Sequence, residues 1–221
     1  LAHAESERFA AALARRRARE PVAYIVGARG FRHIDLKVDG RVLVPRPETE
    51  LLVELALGLP RGARVADVGT GSGAVALALK HERPDMQVIA TDISEEALAV
   101  ARANAARLGL DVSFAHGDLL AALDGAPLDA VLSNPPYVHD HEIPLPELDY
   151  EPAGALYAGT DGLAVIRRLV PAAAARARFV ALEVGAGQAP AVAQLMRRAG
   201  LDEVAAHRDL AGIERVVVGR R

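Results

Sequence analysis

The sequence predicts an α/β fold in which a mostly parallel seven-stranded sheet carries helices on both faces. From residue 64 onward, short apolar segments alternate with longer helical segments, as is typical of βαβ units. Hydrophobic residues make up 51% of the 221-residue chain and charged residues 25%, which suits one well-buried domain with a small appendage. Strands are predicted at 64–68, 88–91, 112–115, 128–133 (centred on 130–132) and 179–182, with an antiparallel edge hairpin at 204–207 and 215–218.

Four helices are predicted between these strands, at 74–82, 94–108, 163–175 and 189–199. The helix at 94–108 has the clearest ends. Ser94 is a natural N-cap, and Glu95 and Glu96 suit the positive first turn. Gly109 stands where a C-terminal stop belongs, so both boundaries of this helix are predicted.

The first part of the chain follows another pattern. Residues 1–20 are rich in Ala, Arg and Glu and predict one helix. From 31 to 44 apolar residues partly alternate around Asp39-Gly40, and such a pair indicates a hairpin turn because both positions accept positive φ. Pro45 and Pro47 then end the strand, and a helix is predicted from 49 or 50 to 57.

Composition excludes several classes of protein. Cysteine is absent, so disulfides, thiolate metal sites and a cysteine nucleophile are excluded. No apolar run reaches the roughly 20 residues of a membrane span, and residues 1–9 lack a signal-peptide pattern, so we expect a soluble cytoplasmic protein. The net charge of −3 disfavours binding that depends on neutralising many phosphates. The basic run at 15–19 is interpreted as a solvated helix face, with a nucleic-acid or partner contact as the alternative.

A glycine-rich loop follows the first strand of the sheet, where residues 65–73 read VADVGTGSG. Its glycines allow a tight turn and close approach of a ligand to the main chain. The loop also fits the dinucleotide fingerprint, so a nicotinamide enzyme is an alternative, and Asp92 would suit the ribose of either cofactor. Asp67 and the third glycine, Gly73, favour a methyl donor, because a carboxylate suits an amino-bearing ligand and is unhelpful beside a pyrophosphate. A turn without a ligand is the remaining alternative.

Asp118 follows the third strand and has two interpretations. Its carboxylate could accept a hydrogen bond from the exocyclic amine of an adenine, with Leu119 as a wall for the ring. It could equally cap a short helix at 119–123. The sequence leaves both open.

The tetrapeptide Asn134-Pro135-Pro136-Tyr137 is the most specific signal in the chain. It follows the strand at 128–133, at the edge where open α/β sheets bind ligands. The prolines fix φ and remove two N–H donors, so the segment presents carbonyl oxygens in a stiff frame, and Asn134 adds a side-chain acceptor beside the Pro135 carbonyl. A proline-stiffened turn capped by Asn134 is the structural alternative.

Two fixed acceptors suit methyl transfer to a planar amide or amine nitrogen. The lone pair of an amide nitrogen is delocalised, and acceptors that hold its two hydrogens orient it and favour a pyramidal geometry. Positive charge that develops on nitrogen strengthens these contacts in the transition state, so no strong base is needed before attack. Tyr137 would provide a flat wall against the planar group.

The glycine loop followed by Asn-Pro-Pro-Tyr resembles the amino-group methyltransferases, which include adenine-N6 and glutamine-N5 enzymes. The segments 20–27, 44–50, 150–152, 161–163 and 209–215 resemble the PrmC (HemK) family of release factor glutamine methyltransferases, from about Arg17 to the end of the chain. The resemblance implies a Rossmann-like class I fold dependent on S-adenosylmethionine, with S-adenosylhomocysteine as the product. It implies methylation of N5 of the Gln in the Gly-Gly-Gln motif of a peptide-chain release factor.

The resemblance also implies roles for individual residues. Asn134 and Pro135 would hold the Gln amide, and Pro136 and Tyr137 would shape its slot. The residues that would bind the donor are Asp67, Gly69, Thr70, Gly71, Ser72, Gly73, Asp92, Ile93, Asp118, Leu119 and Asn134.

Arg46 and Thr49 are also expected near the site. Their structural alternative is a Thr49 helix cap and an ion pair between Arg46 and Glu50.

The family resemblance divides the chain into three parts: the remnant of an N-terminal helical domain (1–26), a hairpin linker (27–48) and the methyltransferase domain (49–221). A monomer with no metal and no direct nucleic-acid contact is expected. The rival functions are an adenine-N6 enzyme, which needs a basic groove or an added recognition domain, and a silent binding module on the same fold. A zinc site at 139–142 is a weaker alternative because a second ligand cluster is missing.

Overall fold

The computed structural model describes residues 3–123, 125–141 and 145–221. Its N-terminal part is helical and then forms a small hairpin. The elements are α1 (His3–Arg17), α2 (Val22–Val26), β1 (Ala28–Phe31), β2 (Ile34–Lys37), a 3₁₀ turn (Pro47–Thr49) and α3 (Glu50–Ala56).

The rest of the chain alternates strands and helices, as the sequence predicts. The elements are β3 (Arg64–Val68), α4 (Ala74–Glu82), β4 (Gln87–Asp92), α5 (Glu95–Leu108), β5 (Ser113–His116), β6 (Leu128–Ser133), α6 (Ala164–Arg176), β7 (Ala177–Glu183), α7 (Ala189–Arg198), β8 (Glu203–Arg208) and β9 (Glu214–Arg220). Short 3₁₀ turns lie at Leu119–Ala122, Pro146–Tyr150 and Ala153–Ala155. Predicted and observed boundaries differ by at most two residues for these strands and helices.

Seven strands form one sheet in the order β5-β4-β3-β6-β7-β9-β8. The first five in this order run parallel, and β9 pairs antiparallel with β7 and with β8. The parallel strands need crossover helices, which cover both faces of the sheet. One face packs against α3, α4 and α5 through side chains such as Leu52 and Leu77, and the other packs against α6 and α7 through Ile166 and Met196. The predicted sheet and its antiparallel edge are confirmed.

The predicted ends of α5 are also confirmed. Ser94 accepts a hydrogen bond from the Ala97 amide at 3.1 Å, and Gly109 ends the helix with a φ of +66°. Among the described residues no helix is both long and apolar enough to cross a bilayer.

The hairpin turn predicted at Asp39-Gly40 is wrong. The hairpin is formed by β1 and β2, and its turn is Arg32-His33, where Arg32 has a φ of +46°. Neither Asp39 nor Gly40 has positive φ, so this pair lacks the geometry of a two-residue hairpin. Asp39 instead accepts a hydrogen bond from the Arg41 amide at 3.1 Å, in an irregular segment that follows β2.

The single helix predicted over 1–20 is also shorter than expected. It stops at Arg17, and Arg19 adopts a φ of +72° before a second short helix begins at Val22. Within the basic run, Arg15 pairs with Glu20, and both Arg16 and Arg19 pair with Glu147. The side chains of these arginines remain 41–52% exposed, as the solvated-face interpretation predicts, and they also bind other parts of the same chain.

Candidate active site

The carboxyl ends of β3 and β6 lie side by side at the centre of the sheet. Val68 is in register with Ser133, and the Ser133 hydroxyl donates to the Val68 carbonyl at 2.6 Å. The chain leaves β3 toward β4 and reaches β6 on the opposite side, so this is the topological switch point where α/β sheets bind ligands. The glycine loop (residues 69–73) and the Asn134–Tyr137 segment follow these two strands, and the fold therefore brings them together.

The glycine loop turns tightly through three left-handed positions. Gly69, Gly71 and Gly73 have φ values of +72°, +56° and +86°. The amides of Gly69 and Thr70 both donate to the Thr91 carbonyl of β4, at 2.8 and 3.0 Å. A side chain at Gly73 would lie 2.8 Å from Leu77, whereas one at Gly69 or Gly71 would meet no atom within 4 Å. The loop is thus packed on its helix side and open on the other, where a ligand can approach.

Asp67 is buried beneath this loop. Its Oδ2 accepts hydrogen bonds from the Thr70 hydroxyl at 2.6 Å and the Ala76 amide at 3.1 Å. Burial raises the pKa of this carboxyl to about 6, and the Thr70 hydrogen bond offsets part of the effect. Asp67 therefore stabilises the loop through these two hydrogen bonds. Its contact with a methyl donor stays a prediction.

Asp92 joins the end of β4 to the glycine loop. One carboxylate oxygen accepts from the Gly71 amide and the other from the Ser94 amide, both at 2.9 Å. Ile93 follows with 68% of its side chain exposed, which is unusual for an isoleucine at the ligand-binding edge of a sheet. A ribose hydroxyl at Asp92 and an adenine ring against Ile93 both suit this arrangement.

Asp118 stands at the N-cap position of the 3₁₀ turn Leu119–Ala122, so the cap alternative is right about its position and wrong about its hydrogen bond. The short turn after it receives no side-chain hydrogen bond from Asp118. The Asp118 carboxylate forms an ion pair with Arg168 of α6, and Leu119 adopts a φ of +51°. Both residues lie at the carboxyl end of β5, so their predicted place beside an adenine remains a prediction.

The side chain of Asn134 is fixed through its amide nitrogen. Its Nδ2 donates to the Thr49 hydroxyl at 3.1 Å. Within the described parts of the chain, no donor forms a hydrogen bond with Asn134 Oδ1 or with the Pro135 carbonyl. The two oxygens that the sequence predicts as acceptors therefore keep their hydrogen-bonding capacity.

Tyr137 is held at both ends. Its hydroxyl donates to Glu183 Oε1 at 3.2 Å, and its carbonyl accepts from Gln188 Nε2 at 3.0 Å. A side chain at Gly162 would lie 2.2 Å from the same carbonyl, so only glycine fits there. Burial, and next the Glu183 carboxylate, raise the pKa of Tyr137 above its ordinary value, so the phenol stays protonated and acts as a donor.

Asn134 and Tyr137 line a cavity of about 160 Å³. Arg46 and the apolar side chains of Leu148 and Leu156 form other walls. We call this cavity, together with Asn134–Tyr137, the slot. Its polar end and flat apolar walls suit a small planar amide.

Arg46 and Thr49 do not behave as their structural alternative predicts. Arg46 pairs with Glu151 at 2.6 Å instead of Glu50, and Glu50 accepts from the Arg32 amide at 2.9 Å. Thr49 stands at the N-cap position of α3, but its side chain forms no capping hydrogen bond. Pro47 and Thr49 begin the helix as a 3₁₀ turn, which aims the Thr49 hydroxyl at Asn134.

Two buried acids were missed by the sequence analysis. Glu151 holds Arg46 and also accepts from the Val44 amide at 3.2 Å. Glu183, 1% exposed, ends β7, and burial raises its pKa to about 7 although Thr49 and Tyr137 lower it. A signal for Glu183 existed, because it is an acid at the end of an apolar strand on the ligand-binding edge, as Asp92 is.

The weaker zinc alternative finds no support in the described residues. They contain no group of three or more His, Cys, Asp or Glu side chains arranged to hold a metal ion. Asp140 is engaged with the Gly159 amide at 3.2 Å. Glu142, part of the proposed cluster, lies outside the described residues.

Two known families match segments of the chain. Residues 47–146 match the family described as "Methyltransferase small domain", and residues 1–27 match "PrmC N-terminal domain". The sequence analysis placed the start of the resemblance at about Arg17, and the N-terminal match extends it back to residue 1. The methyltransferase match does not support the nicotinamide alternative.

Two of the most similar relatives carry the name "Release factor glutamine methyltransferase". The one from Xylella fastidiosa (strain Temecula1) is 46% identical over 229 residues, which cover 100% of this chain and 83% of the relative. The one from Deinococcus radiodurans is 47% identical over 215 residues, which cover 94% and 77%.

Solved structures share the fold at lower identity. A ribosomal protein L11 methylase from Lactobacillus delbrueckii subsp. bulgaricus has a TM-score of 0.59 at 23% identity, over 79% of this chain and 78% of its own. A 16S rRNA N2 G1207 methyltransferase from T. thermophilus, in complex with AdoMet and guanosine, has a TM-score of 0.64 at 19% identity, over 88% and 49%. These likenesses confirm the predicted Rossmann-like class I methyltransferase fold.

Proposed function

The chain belongs to the release factor glutamine methyltransferase family, and from this premise we propose that it methylates a peptide-chain release factor. The methyl group would pass from S-adenosylmethionine to the side-chain nitrogen N5 of the Gln in the Gly-Gly-Gln motif. One observation carries this proposal: Asn134, which lines the cavity, is anchored through its nitrogen, so its oxygen keeps its acceptor capacity, as does the carbonyl of the next residue, Pro135.

In the proposed reaction the Gln amide enters the slot in its plane, against Tyr137. Asn134 Oδ1 and the Pro135 carbonyl accept its two N–H groups and aim the nitrogen lone pair at the methyl group. The new C–N bond forms as the methyl–sulfur bond breaks and S-adenosylhomocysteine leaves. The nitrogen, now cationic, then releases a proton to water. Orientation provides much of the rate in such a transfer, and the two acceptors bind most strongly when charge has built up on nitrogen.

For the donor we propose the glycine-loop side of the site. S-adenosylmethionine supplies the reactive methyl group, and this chain binds it at the open side of Gly69–Gly73. We propose that Asp92 binds the ribose, and that Ile93, Asp118 and Leu119 surround the adenine. Thr70 and Ser72 are buried, so they shape the loop from within, as Asp67 does.

The domain division at 26–27 and 48–49 is likewise proposed. Arg16 and Arg19 bind Glu147, and the Tyr150 hydroxyl donates to the Ala18 carbonyl at 2.7 Å, so residues before 27 pack directly against the turn at Pro146–Tyr150. We also propose that the protein is cytoplasmic, that it is a monomer and that it does not bind nucleic acid directly. Neither an adenine-N6 enzyme nor a silent binding module is favoured by a specific observation.

Mass spectrometry of a release factor after incubation with the protein and S-adenosylmethionine tests the proposal. We expect a gain of one CH₂ group on the Gln of the Gly-Gly-Gln tripeptide. A release factor with Gln→Ala at that position is the matched substrate control and should gain nothing. Transfer to adenine in oligonucleotides, with no transfer to the release factor, would refute the proposal.

A further inference from the structure

Glu183 is a buried carboxylate that the proposed reaction does not use directly. It ends β7, next to the strand that carries Asn134, and it is 1% exposed. One oxygen accepts from the Tyr137 hydroxyl at 3.2 Å, and in the described parts of the chain the other, Oε2, has no hydrogen-bond partner. An unpartnered buried carboxylate oxygen destabilises the fold, so it indicates a functional constraint.

Thr49 lies between Glu183 and Asn134. Its hydroxyl oxygen accepts from Asn134 Nδ2, so its own proton must point to a different acceptor. The Thr49 hydroxyl is near enough to Glu183 to lower the pKa of that carboxyl, although the pair does not meet hydrogen-bond geometry in the structure. Thr49 is buried, which keeps water from competing for this proton. Glu183 is thus the acceptor suited to it.

We propose that Glu183 is a positioning residue for methyl transfer, acting on Asn134 through the Thr49 hydroxyl and on Tyr137 directly. This inference rests on the proposed function. A side-chain amide can turn over and exchange its oxygen and nitrogen, and the two orientations differ only in their hydrogen bonds. If Thr49 donated to Asn134, the NH₂ group of Asn134 would face the substrate NH₂ and repel it. A carboxylate that accepts a hydrogen bond from the Thr49 hydroxyl excludes that orientation, because Thr49 then has no hydrogen to donate to Asn134.

The charge of Glu183 is therefore essential to the arrangement. A protonated Glu183 could donate to Thr49, and Thr49 could then donate to Asn134 in the wrong orientation. Burial raises the pKa of Glu183 to about 7, so this change falls within a measurable range. The groups that act on Glu183 are Thr49 and Tyr137, which donate to it, Arg215 of β9, which favours its charge, and Glu48, which opposes it. Turnover should rise with pH through about 7.

The test compares variants at Glu183 and Thr49 of the whole protein acting on a release factor. Glu183→Gln adds an NH₂ donor and removes the charge, and we expect kcat to fall by about tenfold or more, the loss typical of a misplaced reacting group. Donor affinity, measured by calorimetry, should change by less than about twofold, because the donor lies beyond Asn134. The rise of kcat through about pH 7 should disappear. Glu82→Gln makes the same chemical change at a carboxylate that pairs with Arg32 away from the site, and this control should leave kcat unchanged.

Thr49 provides the second arm. Thr49→Val removes the hydroxyl with little change of shape and should lower kcat by about tenfold, and Thr49→Ser should restore part of the loss. In the double variant of Glu183→Gln with Thr49→Val, the losses should be smaller than the product of the two single losses, because both act on Asn134.

The proposal is overturned if the two losses multiply fully, or if Glu183→Gln keeps wild-type kcat and its pH dependence. A loss of donor affinity or of thermal stability without a change in kcat also contradicts it, because that result indicates a purely structural role. The wild-type protein separates this outcome from failure of the proposed function. If wild type does not methylate the release factor, the function fails; if wild type is active and the variants do not respond as stated, the role of Glu183 fails.

Discussion

The glycine loop and the slot lie at neighbouring strand ends, but they are stabilised in different ways. The glycine loop is held by groups close in sequence or on the adjacent strand: Asp67, Thr70 and Asp92 bind it within 25 residues of one another. The slot is stabilised by residues distant in sequence. Asn134 forms a hydrogen bond with Thr49, 85 residues away, and Tyr137 forms one with Glu183, 46 residues away. A local network tolerates changes elsewhere in the fold, whereas the slot depends on several elements being correctly packed at once. Donor binding and amide orientation should therefore be separable by mutation.

The largest difference between the effect on kcat and the effect on donor affinity is expected for Asn134→Ala. It removes an acceptor that gains strength in the transition state, and losses for such groups are on the order of 100-fold or more in kcat. Donor affinity should remain close to that of wild type, because the glycine loop is untouched. Steady-state kinetics with a release factor and calorimetry with S-adenosylmethionine provide the two measurements. Equal losses in turnover and donor affinity would show that the two regions do not act separately.

A second effect concerns stability and pH. Burial raises the pKa of Asp67 to about 6 from an ordinary 3.8, so the fold favours its protonated form. The free energy of unfolding should therefore decrease as pH rises from about 4 through 6, by at most roughly 2–3 kcal/mol from this group. Urea unfolding between pH 4 and 7 measures the slope. Asp67→Asn should flatten it, and an unchanged slope in this variant would assign the dependence to another group, such as Glu183.

Asp92→Ala should lower donor affinity more than kcat, which is the opposite of the pattern expected for Asn134→Ala. It removes the acceptor for the Gly71 and Ser94 amides as well as the proposed ribose contact, so we expect donor affinity to fall by about tenfold or more. With the donor at saturation, kcat should fall much less. Calorimetry measures the affinity, and Glu95→Ala, which removes an exposed acid at the start of α5, is the control. If turnover at saturation falls more than affinity, the assignment of Asp92 to the donor is wrong.

The smallest effect is expected from Gly71→Ala, and its comparison with Gly162→Ala tests the packing of the two regions. Gly71→Ala meets no atom and carries only the cost of left-handed backbone, about 1 kcal/mol. Gly162→Ala has the same backbone cost and in addition forces a side chain onto the Tyr137 carbonyl. Thermal unfolding should therefore show a clearly larger loss for Gly162→Ala, with reduced turnover. Equal losses would contradict the tighter packing inferred for the slot.

The hairpin and the ion pairs show where sequence reasoning failed. Asp39-Gly40 has the composition of a hairpin turn, but Arg32-His33 forms the turn, since β1 and β2 pair in a register that buries Phe31, Ile34 and Leu36. Arg46 had a plausible local partner in Glu50, yet it binds Glu151, 105 residues away. In both cases burial and long-range packing outweighed a local preference that differs by only about 1 kcal/mol between alternatives.

The sequence by itself determined the order of strands and helices, the glycine loop, the Asn-Pro-Pro-Tyr segment and the strand ends at which they lie. These follow from local rules: hydrophobic periodicity, caps, and the restricted φ of glycine and proline. Only the tertiary structure decided that the side-chain amide of Asn134 binds Thr49 through its nitrogen and leaves its oxygen as an acceptor, because that depends on Thr49 and Glu183 from two other elements. Hydrogen-bond direction is set by the neighbours that folding brings within about 3 Å, and no local pattern contains those distances.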